Sequence, residues 1–232
     1  MPRPDLDFIT TLRSRHSARK FLPDPIPADQ IRAILDDART APSNSNTQPW
    51  HIHLVSGATR EALAEQLVEA FEEGRRSPDF TDDYGDGVHA QRSRDFAALH
   101  YGTRGIDRSD RDGRHRVLVD NMRFYGAPHV ALLFMPQIGD GVRAAGDVGM
   151  YAQNFLLSLT ARGYSGIPQT MIGGYADTVR AALNITDDLK LLFAISFGIP
   201  DETSPLRNLG TPRLPLEHSV VAHDTPGVLT SR

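Results

Sequence analysis

The sequence predicts an α+β fold in which helices cover a small sheet, and three observations support this prediction. Two continuous apolar runs of strand length, 128–135 and 191–199, are typical of strands buried on both faces. Segments with helical spacing of apolar residues lie before and between them. The chain has 232 residues, of which 40% are apolar, enough for a large core. Strands separated by longer helices indicate a sandwich around a small sheet.

The individual elements follow from apolar spacing and from proline and glycine. Leu6, Ile9 and Leu12 predict an N-terminal helix that leads into the basic run 13–20. A second helix begins at 28 and ends before Pro42, which cannot continue it. Alternation from 50 to 55 predicts a strand. Further helices are predicted at 61–71, 117–125, 147–162 and 176–183.

We expect a single domain over 1–232 with two unusual segments. The first, 72–116, has 19 charged residues among 45 and is either a solvated, partly mobile excursion or a lid over a site. The second, 200–232, is an extension rich in proline and polar residues. We call them the charged insertion and the C-terminal extension.

Composition excludes several classes of protein. The chain has no cysteine, which excludes disulfide scaffolds, thiolate zinc sites and cysteine nucleophiles. The longest apolar run has nine residues, whereas a membrane span needs about 20. The net charge of −4 gives no reason to expect nucleic acid or an anionic membrane as a partner. The acidic start differs from a signal peptide, so we expect a cytoplasmic protein.

Searches for common catalytic and metal motifs give a negative result. The chain has no Gly-x-Ser-x-Gly, no phosphate-binding Walker loop, no Gly-x-Gly-x-x-Gly and no His-Glu-x-x-His. His51 and His53 share one face of the predicted strand, but no third ligand lies nearby in sequence. We therefore expect no metal site.

Two polar clusters remain. In the run 13–20, Arg15 and Arg19 are four residues apart and Ser17 adds a hydroxyl. This run is either a solvated helix end or an anion site, since guanidinium groups bind phosphate through paired hydrogen bonds. In 41–50, seven of ten side chains can form hydrogen bonds. A turn needs only one or two such residues, whereas a heterocycle with several polar edge atoms would use more.

These clusters resemble the opening signature of the FMN-dependent nitroreductase family. Arg-His-Ser-Ala-Arg-Lys-Phe at 15–21 is followed by Ala-Pro-Ser-Asn-Ser-Asn-Thr-Gln-Pro-Trp at 41–50, and 123–129, 162–169 and 211–216 match in the same order. The resemblance covers nearly the whole chain and is nearest to the nitrobenzoate-reductase-like branch, especially its mycobacterial NADPH-dependent members. It implies a three-layer sandwich with a small mixed sheet, in an intertwined homodimer with two FMN sites at the interface.

The resemblance also implies which residues hold the phosphate end of FMN. Arg15, Ser17 and Arg19 would bind the phosphate and ribityl chain, together with Arg213 from the C-terminal extension. His16 would approach the same region mainly through its backbone. The residues implied to reach the flavin of the other subunit are Pro42, Ser43, Asn44 and Asn46.

At the ring end, the resemblance places Arg123 beside flavin N1 and O2, where its charge would stabilise the reduced ring. Asp120, three residues earlier on the same helical face, would accept a hydrogen bond from N3–H. A turn would present a backbone N–H, that of Thr170, to N5. The residues of this turn are Pro168, Gln169, Thr170 and Met171.

The implied activity is ping-pong hydride transfer from NADPH or NADH, through flavin N5, to a nitroaromatic or quinone acceptor. The reactivity belongs to the cofactor, so no side chain is required as acid or nucleophile. Two alternatives stay open at this stage. One is different flavin chemistry on the same fold, such as ene-reduction, dehalogenation or flavin cleavage, and the other is a non-enzymatic FMN-binding protein.

Overall fold

The structure is a computed structural model that describes residues 6–81, 83–207 and 209–229. Within these ranges the helices are α1 (Phe8–Ser14), α2 (Ala28–Ala38), α3 (Gly57–Glu72), α4 (Val88–Thr103), α5 (Arg111–Met122), α6 (Val142–Ala161), α7 (Thr170–Gly173) and α8 (Ala176–Leu183). The strands are β1 (His51–Ser56), β2 (His129–Pro136), β3 (Ser165–Gln169) and β4 (Leu189–Gly198). The ends of the predicted domain, 1–5 and 230–232, lie outside the described residues.

The four strands form one sheet in the order β1-β2-β4-β3, and every neighbouring pair is antiparallel. The prediction of a mixed sheet is therefore wrong for these strands. Because α7 and α8 return the chain to the end at which β3 finished, β4 runs back along β3, with Gln169 opposite Ala194. Parallel pairing in the described residues is confined to isolated bridges, Ser17 with Gly166 and Ser77 with Tyr175.

The sheet is covered by helices on both faces, which confirms the predicted α+β sandwich. Strand β2 alternates between two core clusters, so its continuous apolar run is buried on both sides. Its odd-numbered residues, such as Leu133, pack with α2 and α6, where Ile34 and Phe155 are fully buried. Its even-numbered residues, such as Phe134, pack with α3, α7 and α8. The molecule is thus a three-layer sandwich.

Strand β3 is the one strand that the apolar pattern did not reveal. It has five residues and contains glycine and proline, which weaken any strand prediction. The predicted 168–171 turn is consequently divided, since Pro168 and Gln169 end β3 whereas Thr170 and Met171 begin α7. The predicted helix 117–125 also changes. Helix α5 begins earlier, at Arg111, and is followed by a left-handed turn at Phe124–Gly126.

The charged insertion contains α4 and the first half of α5, and its beginning is attached to the sheet by a buried ion pair. The Asp79 and Arg180 side chains are each 7% exposed and form two bonds, of 2.6 and 3.1 Å. Asp79 also accepts a hydrogen bond from the Leu191 backbone N–H at 2.8 Å. One carboxylate therefore joins the insertion to both α8 and β4.

The C-terminal extension contains a single short helical turn, Leu216–His218, in its described part. Leu216 and Val221 are exposed there. No helix in the described ranges is long and apolar enough to cross a membrane.

The Asp79 ion pair gives a prediction about stability. Asp79→Ala leaves Arg180 without its bidentate partner in a buried position and is expected to lower the free energy of unfolding by on the order of 3 kcal/mol. Urea denaturation measures this change. The matched control is Asp36→Ala, which removes a half-exposed carboxylate that pairs with Arg39 at 3.0 Å. The control should change stability by less than about 1 kcal/mol, and equal losses in both variants would contradict the argument.

Candidate functional site

The basic segment 15–22 lies between β3 and the chain that leaves β4. Ser17 pairs with Gly166 in an isolated parallel bridge, and Phe21 pairs with Pro200 in an antiparallel one. The Leu22 N–H donates to the Ile199 carbonyl at 2.9 Å, and an ion pair of 2.9 Å joins Lys20 to Asp201. These contacts place the basic segment at the sheet edge, where its side chains line two recesses.

The first recess has a volume of about 700 Å³ and is strongly cationic. Arg15, Ser17 and Arg19 line it together with Arg213 from the C-terminal extension. Burial and the positive charge of Arg213 lower the pKa of Arg15, which shows that the two guanidinium groups repel each other. The buried Nε2 atom of His16 has no hydrogen-bond partner among the described residues. An anion with several acceptor oxygens would offset the repulsion between the Arg15 and Arg213 guanidinium groups.

The second recess, also about 700 Å³, adjoins the first because Arg19 and Leu206 line both. Arg123, Asp120 and Arg104 contribute to its walls. Arg104 donates to the Asp120 carboxylate at 3.2 Å. Arg123 directly precedes the left-handed turn after α5 and lines the same recess as Asp120.

Gln169 anchors this end of α5 to the sheet. Its side chain is 2% exposed, and its amide donates to the backbone carbonyl of Asn121 at 2.9 Å and to the Asn121 side-chain oxygen at 2.8 Å. The Gln169 side chain therefore lies in the interior and lines neither cationic recess. Its position fixes Asn121, which lies between Asp120 and Arg123 in sequence.

Pro168 and Thr170, the two residues on either side of Gln169, are exposed, whereas Gln169 is buried. Met171 is half-buried against the second core cluster. Thr170 lines a third recess of about 300 Å³, and its walls include three aromatic side chains. The aromatic residues there are Phe80, Tyr84 and Phe193. The structure thus places Thr170 beside an aromatic recess and apart from the walls of the two cationic ones.

The polar loop 41–50 is held on α6. The Asn44 N–H lies 3.1 and 3.2 Å from the two oxygens of the buried Asp147 carboxylate. The Ser43 hydroxyl accepts from the Gln48 N–H at 3.0 Å. Three non-glycine residues have positive φ here, namely Ser45, Asn46 and Gln48, a conformation that the surrounding structure must maintain. The described walls of the same chain's two cationic recesses include none of Pro42, Ser43, Asn44 and Asn46.

Helix α4 supplies residues that sequence reasoning missed. The Arg19 guanidinium lies over the Phe96 ring at 5.5 Å, and the His100 ring stacks on Phe96 at 5.9 Å. Burial, followed by the charges of Arg19 and Arg104, lowers the pKa of His100 to about 4, so its imidazole is neutral. The only signal in the sequence is the four-residue spacing of Phe96 and His100, which is too common to indicate a site.

The fold and the paired recesses define an α+β protein that can hold an elongated, anionic ligand along a sheet edge. Comparison with known proteins is more specific. Residues 12–199 match the model of the nitroreductase family, and the chain belongs to that family.

Two curated relatives align with most of the chain. Nitroreductase NfnB of Mycolicibacterium smegmatis is 44% identical over 210 residues, covering 90% of this chain and 89% of the relative. The 4-nitrobenzoate reductase of Pseudomonas putida is 34% identical over 209 residues, covering 89% and 91%. Both matches extend over nearly the full length of each protein.

Solved structures of nitroreductases have the same fold as this chain. The crystal structure of the FMN-dependent nitroreductase NfnB from Mycobacterium smegmatis in complex with NADPH superposes with a TM-score of 0.88 and 42% identity, covering 93% of this chain and 97% of that one. An FMN- and NADPH-dependent nitroreductase from Sphigopyxis sp. strain HMH gives 0.90 at 28% identity, covering 94% and 99%. The predicted family and the predicted α+β sandwich are confirmed.

The low pKa of His100 gives a prediction about acid stability. Its pKa falls from 6.5 in the unfolded chain to about 4 in the folded one. Between these values the unfolded state binds more protons, so stability decreases as the pH falls, by at most about 1.4 kcal/mol per pH unit for one proton. Urea denaturation at pH 7 and pH 5 should therefore show a smaller loss for His100→Gln than for the wild type. Equal losses would mean that His100 is not held neutral.

Proposed function

We propose that this protein is an FMN-dependent oxidoreductase that transfers hydride from NADPH or NADH to nitroaromatic or quinone acceptors. The observation that carries the proposal is the pair of cationic recesses joined at Arg19, in a chain of the nitroreductase family. The named activity of the relatives supports it, because three of them are described as nitroreductases or a nitrobenzoate reductase.

The first recess fits the phosphate end of FMN. In this proposal the guanidinium groups of Arg15, Arg19 and Arg213 and the hydroxyl of Ser17 bind the phosphate and the ribityl chain. His16 contributes through its backbone. The mutual repulsion of Arg15 and Arg213 supports this assignment, since a bound dianion would offset it. The described residues that line this recess include no carboxylate to compete with a phosphate.

The second recess fits the ring end. Arg123 holds a fixed positive charge there, on the wall that would face flavin N1 and O2. The Asp120 carboxylate would accept a hydrogen bond from N3–H. The Arg104 guanidinium, which donates to this carboxylate, holds it in place. When bound, FMN supplies the hydride-accepting and hydride-donating chemistry that the side chains of the site do not offer.

The end of β3 would lie beside the reacting edge of the ring. We propose that Pro168, Thr170 and Met171 shape this edge, that Gln169 contributes through its backbone, and that the Thr170 N–H is directed to N5. The aromatic recess next to Thr170 suits a planar acceptor, because Phe80, Tyr84 and Phe193 offer ring faces for stacking. Since the chain lacks a dinucleotide-binding motif, the nicotinamide would use the same place in turn, which gives ping-pong exchange.

We also propose that the protein acts as an intertwined homodimer. Exposed apolar side chains occur on the neighbouring helices α1 and α6, where Phe8 is 67% exposed and Val142 and Met150 are 68% and 40% exposed. Such patches mark interaction surfaces. In the dimer, Pro42, Ser43, Asn44 and Asn46 would reach the flavin of the partner subunit, since they lie away from the recesses of their own chain.

The organisation of the chain is part of the proposal. The chain would form one domain in which Phe96 and His100 of the charged insertion cover Arg19 as a lid. The C-terminal extension would deliver Arg213 to the phosphate. A cytoplasmic location fits the use of NADPH or NADH as reductant.

The proposed activity predicts a yellow protein whose bound flavin is reduced without oxygen by NADPH or NADH and reoxidised by a nitroaromatic or a quinone. Stopped-flow absorbance at the flavin band measures both half-reactions. An enone in the acceptor panel tests the alternative of ene-reduction. A protein that binds FMN but is bleached by neither nicotinamide would instead be a non-enzymatic flavin protein.

The shared site predicts complementation between two damaged chains. Arg19→Ala removes a guanidinium from the recess proposed to bind the phosphate, and Asn44→Ala removes a side chain of the polar loop proposed to reach the partner's flavin. Each homodimer should therefore bind FMN weakly. A purified heterodimer of the two, made with different affinity tags, should have one intact and one doubly damaged site. It is expected to bind one FMN per dimer with wild-type affinity, measured by fluorescence titration. Weak binding at both sites would place Asn44 on the flavin of its own chain and contradict the shared site.

A further inference from the structure

A chain of side-chain hydrogen bonds leads from the buried centre of the sheet, through the half-buried Asn121, towards Arg19. The Ser196 hydroxyl of β4 donates to the Gln169 side-chain oxygen, and the Gln169 amide donates to Asn121. The Asn121 amide then donates to the Tyr125 hydroxyl at 2.9 Å. Tyr125 and Arg19 line the same recess, the second one, where the neutral Tyr125 hydroxyl offers the Arg19 guanidinium a hydrogen-bond acceptor. Each member is thus fixed by the one before it.

The backbone at Tyr125 is shaped for this contact. Phe124 and Tyr125 have φ angles of 58° and 53°, in the left-handed region that bulky side chains rarely adopt. Such residues persist only where the surrounding structure requires them. Phe124 is fully buried in the second core cluster, and Tyr125 packs with Ala18, Phe21 and Ile167 beneath the basic segment. The core therefore holds the Tyr125 ring against the segment that carries Arg19.

Arg19 needs such support because burial and a neighbouring positive charge both oppose its own charge. Burial removes the hydration of the guanidinium, and Arg104 repels it, so both lower the pKa of Arg19. The neutral His100 supplies no negative charge. Phe96 offers a ring face at 5.5 Å, and the Ser17 carbonyl accepts a hydrogen bond at 3.2 Å. Tyr125 is the neighbour that connects this guanidinium to the sheet.

We propose that Tyr125 is a positioning residue that holds the Arg19 guanidinium at the junction of the two recesses, ready to bind the anionic portion of FMN. This inference rests on the proposed FMN site. A side chain that is already held in its binding geometry loses little conformational freedom when the ligand arrives, which strengthens binding. Tyr125 itself acts through Arg19 and is not assigned a contact with the ligand.

The test measures the FMN affinity of the apoprotein by quenching of flavin fluorescence. Tyr125→Phe removes only the hydroxyl and is expected to weaken FMN binding by about 10- to 100-fold, as for one hydrogen bond to a charged group. The matched control is Tyr175→Phe, because Tyr175 is also buried and lies near an arginine, Arg76, away from both cationic recesses. The control should bind FMN with wild-type affinity.

A double-mutant cycle distinguishes positioning from general loosening of the fold. If Tyr125 acts through Arg19, then Tyr125→Phe should have no further effect on FMN affinity in the Arg19→Ala background. Asn121→Ala breaks the chain one step earlier, and its effect on FMN affinity should be smaller in the Arg19→Ala background than in the wild type. It serves as the second test if Tyr125→Phe does not fold, as judged by circular dichroism.

The outcomes separate this inference from the proposed function. Wild-type protein that does not bind FMN overturns the FMN site itself. Wild-type protein that binds FMN, with an unchanged affinity in Tyr125→Phe, overturns only the positioning role. The same weakening with and without Arg19 would also overturn it, because Tyr125 would then act independently of the arginine.

Discussion

The arrangement of the whole site depends on the attachment of one basic segment to the sheet edge. Two single bridges, Ser17 to Gly166 and Phe21 to Pro200, hold residues 15–22 between β3 and the chain leaving β4. Each bridge is weak alone, but together they fix both ends of a short extended stretch. Because β3 and β4 are neighbours in the sheet, this attachment brings the start of the chain to its C-terminal extension. Arginines far apart in sequence thereby share one recess.

The arginines gathered in the two recesses repel one another, which lowers the stability of the folded protein. Arg15 faces Arg213, and Arg19 faces Arg104, with burial adding to each repulsion. In water these groups would separate and be hydrated, so rigid neighbours must hold them together. A preorganised cationic site binds an anion well because its donors are already desolvated and oriented. The left-handed backbone at Phe124 and Tyr125 is a second local cost that supports the same site.

Helices and buried strands were predictable where the apolar pattern was strong. Helix α8 was predicted with its observed bounds, and the apolar runs at 128–135 and 191–199 became β2 and β4. The short strand β3 was not predictable, since a five-residue segment with glycine and proline has no distinctive period. Because β3 pairs antiparallel with β4, the sheet is antiparallel throughout the described strands and not mixed as expected. The polar loop at 41–50 was recognised as unusual from its side chains, although its attachment to Asp147 was not.

The sequence by itself determined the three-layer α+β class, the nitroreductase family and the residue types that can bind a phosphate, because these depend on local spacing and short motifs. The tertiary structure alone decided that Arg19 lies at the junction of two recesses, that Gln169 faces inward, and that Tyr125, Phe96 and His100 surround the arginine. These are long-range contacts between side chains more than 20 residues apart. No local pattern encodes them, since they exist only after the sheet and helices have packed.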